Sequence, residues 1–185
     1  MGIAFFVMGG LVFYIIIIFA FPRFSPIPYF PSNKKDLHLI LHALDIHSDQ
    51  TIVDLGAGDG IIIFEAAQQA FLNKLATQFY AVEINPILLL VLHIRRLLHP
   101  NKANIHIIKR DMFTMAYDDI LKEGSVTFYL YISPWFIEKT VNNIARQVPR
   151  FNLVSYFYRV ACLPRHTEKQ KQGIHSLYTY RQRTD

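Results

Sequence analysis

The chain has 185 residues, with 19 Lys and Arg against 14 Asp and Glu, a formal net charge of +5 and a pI near 9.3. That length accommodates one domain with a real core plus a short appendage. A single cysteine, Cys162, excludes a disulfide framework and agrees with a reducing compartment.

Hydrophobic residues make up 52% of the chain and mean hydropathy is +0.22, an excess concentrated at the N-terminus. Residues 3–21 (IAFFVMGGLVFYIIIIFAF) carry no charge. At 1.5 Å per residue the run roughly matches the ~30 Å hydrocarbon core of a bilayer. No basic region precedes it and no small-residue cleavage site follows, so an uncleaved transmembrane anchor over residues 1–22 is expected rather than a signal peptide. Arg23, Lys34 and Lys35 follow the run and no Lys or Arg precedes it. The positive-inside rule then predicts a single-pass membrane protein with its domain facing the cytoplasm. The positive balance reads as a face lying on anionic lipid, and no nucleic-acid partner is expected.

Residues 22–32 (PRFSPIPYFPS) hold four prolines among aromatics, which excludes regular helix. Residues 23–32 therefore form a Pro-rich linker. Spacing favours a spacer, and the alternative is a segment folded over a ligand site, with Tyr29 and Phe30 supplying aromatic surface. The remaining domain runs from 33 to 185. Leu37, Ile40, Leu41 and Leu44 recur at helical spacing after a capping candidate at Ser32 or Asn33. Strands are predicted over 51–55, 78–83, 105–108, 125–132, 151–158 and, after a polar basic loop at 166–172, over 176–181. Helices are predicted over 61–72, from Asn85-Pro86 to about Leu98, and from Ser133-Pro134 to about Gln147. Strands alternating with helices imply an α/β fold: a mostly parallel, twisted sheet of about six strands flanked by helices.

The stretch Thr51-Ile52-Val53-Asp54-Leu55-Gly56-Ala57-Gly58-Asp59-Gly60 runs a buried strand into a glycine turn and a helix start, which is the shape of a nucleotide-binding loop. A dinucleotide fingerprint seats a pyrophosphate there. Two carboxylates, Asp54 and Asp59, repel phosphates and attract cations. S-adenosylmethionine, with an ammonium, a sulfonium, a ribose diol and an adenine, suits this charge better than NAD. Glu83 ends the second strand, where a carboxylate accepts from both ribose hydroxyls. Asp111 ends the third, in reach of an adenine amino group, and Met112 and Phe113 offer apolar contact to the ring. The eight histidines show no metal-ligand spacing, so no metal is expected.

On these residues the sequence resembles the class I S-adenosylmethionine-dependent methyltransferases, whose fold is Rossmann-like. VDLGAGDG is similar to their glycine motif, Ala81-Val82-Glu83-Ile84-Asn85 to their acidic loop and Arg110-Asp111-Met112-Phe113 to the acid after strand three. Pro28-Tyr29-Phe30-Pro31-Ser32, the apolar run before it and Tyr131-Ile132-Ser133-Pro134 after strand four resemble the small membrane-anchored protein-lysine methyltransferases. That family modifies the ATP synthase c subunit and the adenine nucleotide translocase, and has prokaryotic relatives.

The resemblance implies that residues 28–32 are a cofactor-site lid. It places Tyr29, Pro31, Ser32, Asp54, Gly56, Ala57, Gly58, Asp59, Gly60, Glu83, Ile84, Asn85, Asp111, Met112 and Phe113 around the cofactor. It also implies a lysine Nε of a membrane or membrane-proximal protein as acceptor. The little chain left after Tyr158 predicts a shortened antiparallel pair at the sheet edge. Tyr131, Ser133, Pro134 and Trp135 stand where the acceptor pocket belongs, and their carbonyls and ring faces suit an amine; the alternative is that Tyr131 and Trp135 are core aromatics. Two other functions stay open: methylation of a lipid-soluble small molecule such as a quinone, and a non-catalytic cofactor-binding membrane scaffold.

Overall fold

The structure, a computed structural model, describes residues 6–14, 30–118, 120 and 124–181. Its apolar and β-branched runs form one sheet: β1 (Gln50–Leu55), β2 (Gln78–Glu83), β3 (Ile105–Lys109), β4 (Ser125–Leu130), β5 (Asn152–Tyr156), β6 (Glu168–Gln172) and β7 (Ser176–Tyr180). The spatial order is β3-β2-β1-β4-β5-β7-β6. β1 to β5 are mutually parallel, and β7 runs antiparallel to both β5 and β6. β1, β2 and β4 are interior strands covered on both faces, which is why they read as nearly unbroken apolar runs.

The helices are α1 (residues 6–14), α2 (Leu37–Leu44), α3 (Ile61–Leu72), α4 (Pro86–Leu98) and α5 (Pro134–Gln147). Strand side chains alternate with period two, so each strand feeds both cores. Ile52, Phe79 and Tyr129 pack with Ile40 and Leu44 of α2, Ile63 of α3 and Leu92 of α4. On the other face Val53, Leu55, Phe128 and Leu130 pack with Ile137, Val141 and Ile144 of α5. α2 is preceded by a 3-10 turn (Lys34–Asp36), and Asn33 caps that turn by accepting from Lys35 N at 3.0 Å.

Three expectations change. The sheet has seven strands: the stretch read as a polar loop forms β6. Its sequence (EKQKQ) carries no apolar alternation, because an outer strand exposes both faces and owes its shape to the β7 hairpin. Charged side chains there also blunt the open sheet edge. The antiparallel pair is consequently full, with five residues in each strand. The third change concerns the membrane. Of the apolar run, only residues 6–14 are described, and these are helical. Residues 3–5 and 15–21 lie outside the described residues. Among the described residues no helix is long and apolar enough to cross a membrane. The expected transmembrane anchor is therefore unsupported, and the single-pass localisation with a cytoplasm-facing domain is corrected.

Candidate cofactor and acceptor site

The parallel strands deliver their carboxyl ends to one edge of the sheet, where open α/β folds bind ligands. After β1 the chain turns through Gly56, Gly58 and Gly60, all at positive φ. Gly60 is the N-cap of α3 at φ 77°, and a Cβ there would stand 2.5 Å from Leu92 Cδ2 and 2.7 Å from the Phe64 ring. Only glycine fits both the backbone and the space. Gly56 N and Ala57 N donate to Val82 O at 2.9 Å, which ties the loop to β2.

Glu83 organises the loop from β2. Its Oε2 accepts from Gly58 N at 2.9 Å, and its Oε1 accepts from Ile84 N at 2.8 Å and Asn85 N at 2.9 Å. Oε1 has thus used both lone pairs, and Oε2 keeps one for a ligand. A two-oxygen grip on a ribose diol, expected from sequence, is narrowed to a single free acceptor. Asn85 caps α4 by accepting from Ile87 N and Leu88 N, with Pro86 in the first turn.

A cleft opens over the loop, lined by Phe30, Pro31, Ser32, Asp54, Gly56, Ala57, Gly58, Asp59, Ile61, Ile62, Tyr129 and Tyr131. Asp54 forms part of its floor and is 3% exposed. Among the described residues no donor is bonded to its carboxyl. Burial, and then the nearby carboxylates of Glu83 and Asp59, push its pKa well above the usual range. Asp59 is by contrast engaged: its Oδ1 accepts from Ile61 N at 3.2 Å, and its Oδ2 stands 3.4 Å from Arg95 Nη1. The same Arg95 nitrogen donates to Asp59 O at 2.6 Å, and the guanidinium Cζ lies 4.7 Å from the Phe64 ring centroid.

Pro31 and Ser32 line the cleft. The Ser32 and Tyr129 hydroxyls bond at 2.8 Å, both buried. Tyr29 lies outside the described residues. Behind this segment Asp36 is buried and accepts from Ile174 N at 2.7 Å, His175 N at 2.9 Å and the Tyr156 hydroxyl at 2.7 Å. This carboxylate ties the chain just after Ser32 to the β6–β7 turn. Tyr156 in turn packs edge-on against Tyr131, with ring centroids 5.0 Å apart.

Asp111, Met112 and Phe113 sit half-buried beyond β3 and do not line the cleft. Asp111 Oδ1 accepts from Phe113 N at 2.9 Å, leaving Oδ2 available. Gly56 has no side chain where Met112 approaches: a Cβ there would stand 3.0 Å from Met112 Cε. Glu83, Ile84 and Asn85 likewise lie beside the cleft rather than in its wall. Of the acceptor candidates only Tyr131 lines it. Ser133 caps α5 without a side-chain bond, and Pro134 follows in the first turn. Trp135 is 84% exposed, which disposes of the core alternative for that ring.

Sequence reasoning missed Tyr129, Ile61 and Ile62. Tyr129 pairs with Asp54 across the β1–β4 ladder. Period two along Thr127, Tyr129 and Tyr131 was the available signal, but the ladder register was not. Among the described residues no group of three His, Cys, Asp or Glu side chains is placed to hold a metal ion.

This order, five parallel strands and an antiparallel β7 inserted before β6, is the Rossmann-like architecture of class I methyltransferases. Solved structures bear out the likeness. An RNA methyltransferase from Salinibacter ruber in complex with S-adenosyl-L-homocysteine is similar at TM-score 0.65 and 21% identity, over 82% of this chain and 92% of that one. A precorrin-6y C5,15-methyltransferase from Geobacter metallireducens gives 0.55 and 16%, over 82% and 91%. The glycopeptide N-methyltransferase MtfA gives 0.51 and 13%, over 79% and 76%.

At these identities the likeness shows the fold, and acceptors as different as RNA and a glycopeptide share it. The expectation of no nucleic-acid partner therefore draws no support from the fold. The lysine-specific subfamily is not singled out by these likenesses either. Comparison of the sequence with protein-family models and with curated proteins finds no match.

Proposed function

We propose that the chain is an S-adenosylmethionine-dependent methyltransferase whose acceptor is a protein lysine. The observation that carries the cofactor is Asp54, a buried carboxyl in the cleft to which no described residue donates. Such a group is costly unless a cation meets it. An amino-acid ammonium supplies that cation, whereas a pyrophosphate would face Asp54 and Asp59 together. The fold shared with a methyltransferase solved with S-adenosyl-L-homocysteine supports the same ligand. The cofactor supplies a methyl group on a sulfonium, already activated toward a nucleophile.

The residues of the chain bind and position. Asp54 holds the ammonium, Glu83 Oε2 accepts from a ribose hydroxyl, and Asp111 Oδ2 serves the adenine amino group. Met112 and Phe113 provide apolar surface for the ring. Phe30, Pro31 and Ser32 cover the site and exclude water. Tyr131, Ser133, Pro134 and Trp135 form the acceptor side, with Tyr131 nearest the cofactor. A lysine must arrive deprotonated, and desolvation against Tyr131 lowers its pKa.

The stretch Tyr131–Trp135 contains neither a carboxamide nor a carboxylate. An aromatic exocyclic amine needs such an acceptor to localise its lone pair, and an aliphatic amine does not. This favours lysine over a nucleobase. Titration calorimetry with S-adenosyl-L-homocysteine and with NADH tests the cofactor: saturable binding of the first and none of the second is expected, and the reverse refutes the reading. Transfer of a tritiated methyl group to lysine, located by mass spectrometry, tests the acceptor.

A further inference from the structure

The exposed charge around the cleft is mostly positive. Lys109 is the last residue of β3, and Arg110 follows it, its backbone N donating to Glu83 O at 3.3 Å beside the cofactor wall. Lys34 and Lys35 follow the cleft-lining Pro31 and Ser32 after the capping Asn33. Lys139 lies on α5, with Nζ 4.5 Å above the Phe113 ring. Lys171 pairs in the β6–β7 ladder with Leu177, itself opposite Tyr156 at the carboxyl end of β5.

All six are exposed, and among the described residues none lies within ion-pair distance of a carboxylate. The described ion pairs instead use Arg95, Arg159 and Arg181. The acids at this edge are largely spent inward. Asp54 and Glu83 are buried, Asp36 holds three donors, Asp59 meets Arg95 and Asp111 is half-buried with one oxygen engaged, while Glu138 is exposed.

An acidic cleft thus opens through a cationic rim. We propose that this rim selects an acceptor lysine flanked by aspartates and glutamates; the proposal rests on the lysine reading above. Carboxylates on either side of the acceptor meet Lys34 and Lys35 on the lid side and Lys109, Arg110 and Lys139 on the other. The same rim repels a lysine set among cations. It also disfavours the ammonium form of the acceptor itself, since like charges lower an amine's pKa.

The test uses the full chain, tritiated S-adenosylmethionine and synthetic peptides with one central lysine flanked by glutamates, by glutamines or by arginines. Several exposed charge contacts acting together predict a kcat/KM about tenfold higher for the glutamate peptide than for the glutamine peptide, and lowest for the arginine peptide. The preference should fade as salt rises toward ~1 M, where the screening length falls to about 3 Å. The double variant Lys34→Glu, Lys109→Glu should lose or reverse it while binding S-adenosyl-L-homocysteine as the wild type does.

Equal turnover of glutamate and glutamine peptides, or a preference for the arginine peptide, overturns the charge selection and leaves lysine methylation standing. Methylation of an RNA oligonucleotide with no peptide turned over overturns both, and assigns the rim to phosphates instead.

Discussion

Replacing Asp54 by asparagine separates stability from binding, because the two respond to the same carboxyl in opposite directions. Asp54 is 3% exposed, lacks a donor among the described residues, and has its pKa raised by burial and by Glu83 and Asp59. A raised folded pKa means that its contribution to stability is fully present below the unfolded value and is lost as pH rises toward the folded one. Above that range the wild type pays for a buried charge that no described residue pairs. Asparagine keeps the shape and removes the charge, at the lesser cost of a buried amide.

The unliganded variant should therefore be more stable by about 1 kcal/mol near neutral pH, or roughly 2–4 °C in Tm for a domain of this size. The gain should shrink on acidification toward about pH 4, where the wild-type carboxyl is protonated as well. Binding moves the other way. Taking one partner from a buried charge pair costs at least about 2–3 kcal/mol, so the Kd for S-adenosyl-L-homocysteine should rise roughly 30- to 150-fold. Urea unfolding at both pH values and titration calorimetry read the two effects. A variant less stable than wild type at neutral pH, or one that binds with unchanged affinity, would refute the assignment of Asp54 as the ammonium site.

Glu83→Gln places an amide donor against Gly58 N or against Ile84 N and Asn85 N, so it should lower stability by about 1–3 kcal/mol and weaken S-adenosyl-L-homocysteine binding, read by urea melts and calorimetry. Gly60→Ala imposes φ 77° on a side chain that meets Leu92 and Phe64, and should cost about 1–3 kcal/mol in the same melts. Asp36→Ala strands three donors and should cost about 3 kcal/mol, or roughly 6–12 °C in Tm. Burial raises the Asp36 pKa, but its hydrogen bonds from His175, Ile174 and Tyr156 outweigh that and hold it below the ordinary aspartate value of 3.8. Its stabilisation is thus present above that value and lost as pH falls through it. The gap between wild type and Asp36→Ala should therefore close on acidification, and a gap that widens would contradict the sign.

Much of this protein was legible from local pattern. The helices at 61–72 and 86–98 and the strand at 78–83 follow from apolar periodicity, a capping asparagine and a proline at its first turn, all of them interactions between near neighbours in the chain. The glycine loop and the acids Asp54, Glu83 and Asp111 were legible because strand ends in a parallel sheet meet at one edge by topology alone. Other features depend on residues far apart in sequence.

β6 carries no apolar signal and exists because β7 lies beside it. Tyr129 enters the cleft through a ladder register that no spacing encodes. Asp36 looks like a helix-start acid until the β6–β7 turn, some 138 residues later, brings its donors. At the N-terminus an uncharged run reads as a span, and among the described residues no helix is long and apolar enough to be one. Hydrophobic period and turn chemistry act within a few residues and so can be read from the chain. Burial of a charge, the donors that reach it and the sign of the surface around a cleft are sums over distant segments, and only the folded molecule performs them.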